Sequence, residues 1–135
     1  MLAPRPRVAT FVGIDLADVT DVESAIRTGA DRYLRRVYTD RELTECRDDP
    51  RRLAERFAAK EATIKVLAPS DEPVPWASIG VRRLAPTRYE LELTGRAQIL
   101  ATSRGITSLA LSIASLPRCA LAIVLAVVTE SDRPG

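Results

Sequence analysis

Residues 50–67, PRRLAERFAAKEATIKVL, decide the fold of this chain. Asp49 before Pro50 is a strong helix start, with the acid at the N-cap and proline at the first helical position. A long helix is predicted through Leu67, ending before Pro69. At about 100° per residue, Leu53, Phe57 and Ile64 share a narrow arc that should face a core. Lys60 and Glu61 fall on the edges of that arc, and Lys65 lies one turn beyond Glu61. An unpaired carboxylate there would be costly to bury. Glu61 and Lys65 stand at the i, i+4 spacing of an ordinary intrahelical ion pair, which is the plain explanation of the two. Lysine usage points elsewhere. Of the 20 basic residues only Lys60 and Lys65 are lysines, six residues from end to end. A helix-stabilising pair tolerates arginine about as well, whereas a site needing a compact, tunable ammonium does not.

Working outward, VATFVGIDL (8–16) reads as a buried strand ending on a glycine and an acid, Asp15. Thr20-Asp-Val-Glu23 and Thr39-Asp-Arg-Glu42 are capping-box patterns. The first opens a helix with Gly29 as its stop, followed by a short helical stretch over Asp31–Val37. The second opens a helix running towards Arg47. Pro69 to Pro75 is a turn-rich linker. Strands are predicted over Trp76–Leu84 and Tyr89–Leu93, where Leu91 and Leu93 alternate with Glu90 and Glu92. A helix over Gly95–Arg104 stops at Gly105, and two strands cover Thr107–Ala114 and Cys119–Val128. The tail from Glu130 is polar. The order β-ααα-ββ-α-ββ argues for an α+β fold with a mainly antiparallel sheet, one domain over residues 1–135.

Composition narrows the function. The chain has 135 residues, 46% hydrophobic and 28% charged, enough for one core. Net charge is only +2, and the nine arginines of Arg27–Arg56 are mixed with seven acids, so no nucleic-acid partner is implied. The apolar run Leu109–Val128 is split by Pro117 and Arg118 into halves of about ten residues, half of a membrane span. Met1–Arg7 lacks the apolar stretch of a signal peptide. Both point to a cytoplasmic protein with no membrane partner. There is no histidine, which excludes histidine-based acid–base and nucleophile systems and the usual zinc sites. Cys46 and Cys119 are too few for a disulfide framework. Asp15 at a strand end and Glu61 on a helix make a two-point ligand set for Mg²⁺, which takes one or two protein carboxylates and fills its octahedron with water and phosphate oxygens. The plainer role for Asp15 is to cap the next turn, which Asp18 could do equally well.

GIDLADV (13–19), YLRRVYTDREL (33–43) and RFAAKEATIKVL (56–67) together resemble the holo-acyl-carrier-protein synthases, the small stand-alone class of 4′-phosphopantetheinyl transferases. Trp76-x-x-Ile79 and Leu93-Thr-Gly95 extend the likeness over most of the chain. The resemblance implies transfer of the 4′-phosphopantetheine arm of coenzyme A to a serine of an apo acyl or peptidyl carrier protein, with release of 3′,5′-ADP. It also implies Mg²⁺, a homotrimer and active sites at subunit interfaces. Carried over by position, Asp15 and Glu61 would hold the metal. Lys65 and Arg56 would contact coenzyme A phosphates with Lys60 beside them, and Arg32 and Arg36 would face the carrier.

Four residues depart from the family pattern. Ser115 stands where a histidine is common, Thr87 and Tyr89 replace a G-x-P turn, and Asp21 stands where an arginine usually faces the acidic carrier. The alternative reading is a silent homologue that binds a carrier protein or its acylated arm without transfer.

Overall fold

In a computed structural model, which describes residue 5 and residues 7–130, helix α3 (Pro50–Leu67) is the central element. The readings of the N-terminal stretch before Arg7 and of the tail beyond Glu130 lie outside the described residues. Asp49 caps α3 and Pro50 opens it, as the sequence predicts. Its buried face is broader than the predicted arc. Leu53, Ala54, Ala58, Ala59, Ala62, Val66 and Leu67 are buried, whereas Phe57 and Ile64 are only partly so. Small side chains face the core because the neighbouring backbone comes very close. A methyl group built on Gly13 would run into the carbonyl oxygen of Ala62.

That neighbour is β1 (Arg7–Asp18), which pairs antiparallel along its length with β5 (Cys119–Glu130). β4 (Ile106–Ser115) pairs antiparallel with the other side of β5, giving a three-stranded sheet in the order β1-β5-β4. Ala120, Ala122, Val124 and Ala126 of β5 close the inner face against α3. β2 (Ile79–Ala85) and β3 (Arg88–Leu93) form a separate antiparallel hairpin. α4 (Gly95–Ser103) connects it to β4. The architecture is α+β, in the predicted order.

Three local expectations need correction. β1 is not a buried strand within one chain: Val12 is 57% exposed and Leu16 63%, because no described residue covers the outer sheet face. The first helix, α1 (Val19–Val37), begins one residue before Thr20. Its N-cap is Asp18, whose carboxylate accepts from the Thr20 amide at 2.7 Å. The predicted break after Gly29 is present: Ala30 is non-helical, with φ of 45°, and a second helical stretch follows to Val37. Trp76–Ser78 is a 3₁₀ turn, not the start of a strand. The second capping box is present, with Thr39 and Glu42 bonding reciprocally at the head of α2 (Asp40–Cys46).

Candidate active site

The tight approach at Gly13 sets the geometry of everything beside it. Two residues along β1, on the same strand face, Asp15 comes level with the C-terminal half of α3. The Lys65 ammonium donates to Asp15 Oδ1 at 3.2 Å and to the Ile14 carbonyl oxygen at 2.6 Å. This pair is accessible: the Lys65 side chain is about half exposed and that of Asp15 one-fifth. Because Asp18 does the helix capping, the Asp15 carboxylate remains available.

Glu61 sits one helical turn before Lys65, on the same side of α3. It does not form the expected intrahelical pair. Its Oε1 accepts a 2.6 Å hydrogen bond from the indole Nε1 of Trp76. Arg36 lies over the same indole, its guanidinium carbon 5.7 Å from the ring centroid, within cation–π range. Arg36, Glu61, Ile64 and Trp76 line one open cleft, walled by Pro69, Pro73 and Pro75. The linker's prolines therefore shape a wall of the site, and Trp76, predicted from the sequence to open a strand, touches Glu61.

Two carboxylates on facing elements, each with one oxygen free of hydrogen bonds among the described residues, suit a hard divalent cation that also takes phosphate oxygens. No group of three or more metal-binding side chains occurs among the described residues, so such an ion would depend on water and substrate for its remaining ligands.

The structure separates two other predicted residues from this site. Lys60 is fully buried. Its ammonium meets Glu42 at 2.7 Å and donates to the carbonyl oxygens of Trp76 and Ile79 at 3.1 and 2.5 Å. Burial pushes its pKa below the ordinary lysine value, with Glu42 acting in the opposite sense. Arg56, 2% exposed, is bracketed by Glu55 at 3.1 Å and Glu45 at 3.5 Å and stacks over Tyr89. Neither cation offers a free face to a phosphate. A helical wheel of α3 does not contain Glu42 and Glu45, the α2 acids that meet Lys60 and Arg56.

Arg32 and Arg36 are exposed near the end of α1, and Asp21 is exposed in its first turn. Thr87, Tyr89 and Ser115, three of the four residues that depart from the family pattern, line a single second cleft. Arg52 and Arg83 join them there; nothing in their local spacing marks those two arginines.

The family described as the 4′-phosphopantetheinyl transferase superfamily matches residues 11–115. A holo-[acyl-carrier-protein] synthase of Dehalococcoides mccartyi is 32% identical over 117 residues, which span 86% of this chain and 97% of that protein. Among solved structures, a coenzyme A complex of ACPS from Chronobacterium ammoniagenes superposes with a TM-score of 0.79 at 29% identity, covering 91% of this chain and 99% of the other. The synthase of Neisseria meningitidis gives 0.75 at 27% identity, with 85% and 95% coverage.

Proposed function

The chain belongs to the 4′-phosphopantetheinyl transferase superfamily and transfers the 4′-phosphopantetheine arm of coenzyme A to apo acyl carrier protein; we propose that it does so with Mg²⁺ held between Asp15 and Glu61. The observation that carries this reading is the Lys65 bridge from α3 to Asp15, with Glu61 one turn behind it and turned to Trp76.

The carrier serine hydroxyl attacks the phosphorus that bears the pantetheine arm. The new serine Oγ–phosphorus bond forms as the bond from that phosphorus to the bridging oxygen breaks, and 3′,5′-ADP departs. Such transfers depend on positioning and charge neutralisation far more than on covalent help from the protein. Bound Mg²⁺ would neutralise the pyrophosphate and align it for in-line attack. Lys65, already tethered to the Ile14 carbonyl and half exposed, is placed to neutralise the leaving nucleotide. With no histidine in the chain, we assign the serine proton to a water ordered at the Asp15–Glu61 site. Arg32 and Arg36 face the acidic carrier. The cleft of Arg52, Arg83, Tyr89 and Ser115 takes the nucleotide end, its arginines supplying positive charge in place of a histidine.

The reading includes a homotrimer. Val12, Ile14, Leu16, Ile123 and Leu125 share the outer face of the three-stranded sheet, and all are exposed. A contiguous apolar face on a soluble domain calls for cover, and a closed ring would supply it. Ile14 and Leu16 flank Asp15, so a copy seated there would border the active site. The reading also takes residues 1–135 as one domain, since α3 packs against both sheets. It places the protein in the cytoplasm, where free thiols such as Cys46 and Cys119 persist.

Mass spectrometry of an apo carrier protein incubated with this protein, coenzyme A and Mg²⁺ tests the function. The expected result is a gain of one phosphopantetheine arm, lost on chelation of the metal and lost in Asp15→Ala and Glu61→Ala. Full activity in both variants would overturn the metal assignment. No mass gain on any carrier would favour the silent homologue.

A further inference from the structure

Glu61 and Lys65 stand four residues apart on α3, the spacing at which an acid and a base on one helix face pair with each other. Here they part company. Lys65 reaches across to Ile14 and Asp15, and Glu61 turns away to the Trp76 indole. An indole N–H only donates, so it can engage a carboxylate but cannot itself ligate a cation.

We propose that Trp76 is a positioning residue for the transfer reaction: its N–H commits one Glu61 oxygen, leaves the other for the bound cation, and keeps Glu61 from capturing Lys65. The inference rests on the reading of Glu61 as a metal ligand.

Trp76 is well fixed for this task. Arg36 lies over the ring at 5.7 Å, and Phe57 packs beside it with centroids 6.3 Å apart. Its carbonyl oxygen accepts from Lys60, whose ammonium is locked in turn by Glu42 and Ile79. The buried pair Glu42–Lys60 thus reaches the accessible site through a single residue. This gives Lys60 a place in the motif without substrate contact: it anchors the turn that carries the indole. Hydrogen-bond partners behind a metal ligand typically change metal affinity by about 10–100-fold when removed.

Trp76→Phe keeps an aromatic ring and deletes the N–H. We expect the half-saturating Mg²⁺ concentration for transfer to rise about ten-fold or more, with a smaller change in the rate at saturating Mg²⁺. Binding can be read without catalysis. With coenzyme A present and no carrier protein, free Mn²⁺ counted by electron paramagnetic resonance should show about ten-fold weaker binding to the variant. The wild-type protein needs no substitution at this position for a second readout. Trp76 is its only tryptophan, and Mn²⁺ titrated with coenzyme A should quench its fluorescence saturably. Glu61→Gln should abolish that saturable quenching. If Trp76→Phe binds Mn²⁺ as tightly as wild type while Glu61→Gln has lost it, the positioning role is wrong and Glu61 stands as a ligand. If Glu61→Gln also binds Mn²⁺ normally, the ligand assignment falls and the inference falls with it.

Discussion

Lys60 and Lys65 lie five residues apart on α3, and each meets a carboxylate: Glu42 at 2.7 Å for the first, Asp15 at 3.2 Å for the second. The surroundings separate them. Lys60 and Glu42 are fully buried, and Glu42 also accepts from the amides of Thr39 and Val81, so that α2, α3 and β2 meet at one carboxylate. Lys65 is half exposed and its pair opens to solvent. One acid–lysine pair therefore holds the molecule together, and the other can be dissolved and remade around a substrate. Charge and spacing alone would not distinguish them; desolvation does.

The closed pair should show the largest effect. Removing one partner leaves a buried charge uncompensated, which costs about 3–5 kcal/mol. Lys60→Met should lower unfolding stability by about that amount in urea titrations, with a similar loss of melting temperature in every buffer. A loss below about 1 kcal/mol would mean that Glu42 is satisfied by the two amides alone.

The open pair should behave in the opposite way. Lys65→Ala gives up an exposed ion pair, worth at most about 1 kcal/mol of stability. We expect it to reduce kcat/KM for coenzyme A roughly a hundred-fold, about 2.7 kcal/mol of transition-state stabilisation. Lys65→Arg should not restore it fully, because a planar fork does not reproduce a compact ammonium beside Ile14 and Asp15. If Lys65→Ala lowers unfolding stability by several kcal/mol, about 3 or more, but leaves the specific activity of the folded protein intact, the contrast between the two lysines is drawn the wrong way round.

Much of this contrast was hidden in the sequence, for a physical reason. Local rules place α3 well, since Asp49 and Pro50 act on their own neighbours. The Thr39 box likewise forms as written. Burial of Lys60 depends on Glu42, eighteen positions earlier, and on carbonyl groups of the Trp76 turn; none of these enters a helical wheel. Trp76 reads as a strand residue because an aromatic before Ile79 fits either state, and only the proline-walled turn aims its indole at Glu61. Asp15 and Glu61 stand out as candidates through the family pattern, but Asp15's freedom from capping required seeing Asp18 take that role. The exposed outer face of β1 reads as buried because an apolar run looks the same whether it is covered by its own chain or by another.

Alkaline pH offers a smaller test of the closed region. Burial, the main cause, pushes the Cys46 thiol up to about 11 from 9.0. The folded protein therefore keeps the thiol protonated where the unfolded chain ionises it. That contribution is fully present below about pH 9 and is lost as pH rises towards 11, up to about 2 kcal/mol. Urea midpoints measured at pH 8 and pH 10.5 should fall less steeply for Cys46→Ala than for wild type. Equal slopes would show that Cys46 does not ionise differently on unfolding.

The smallest effect lies at Asp21, on the end of the molecule proposed to meet the carrier. Asp21 is exposed in the first turn of α1, where a negative charge also suits the helix dipole. An acidic carrier helix meeting Arg32 and Arg36 would meet repulsion at Asp21. Rim charges act chiefly on encounter rate and salt dependence. Asp21→Arg should raise activity on a conventional acidic carrier about ten-fold, or about 1.4 kcal/mol, at low salt. The gain should shrink as the Debye length falls from about 10 Å at 0.1 M to about 3 Å at 1 M salt. Loss of a favourable first-turn acid should cost less than about 1 kcal/mol of stability, so unfolding and docking can be scored separately. A carrier with a basic or neutral residue opposite Asp21 should lose its advantage in the variant. If Asp21→Arg alters neither rate nor salt dependence on either kind of carrier, the first turn of α1 does not face the partner. Carrier recognition would then rest on Arg32 and Arg36, at the far side of the Ala30 kink.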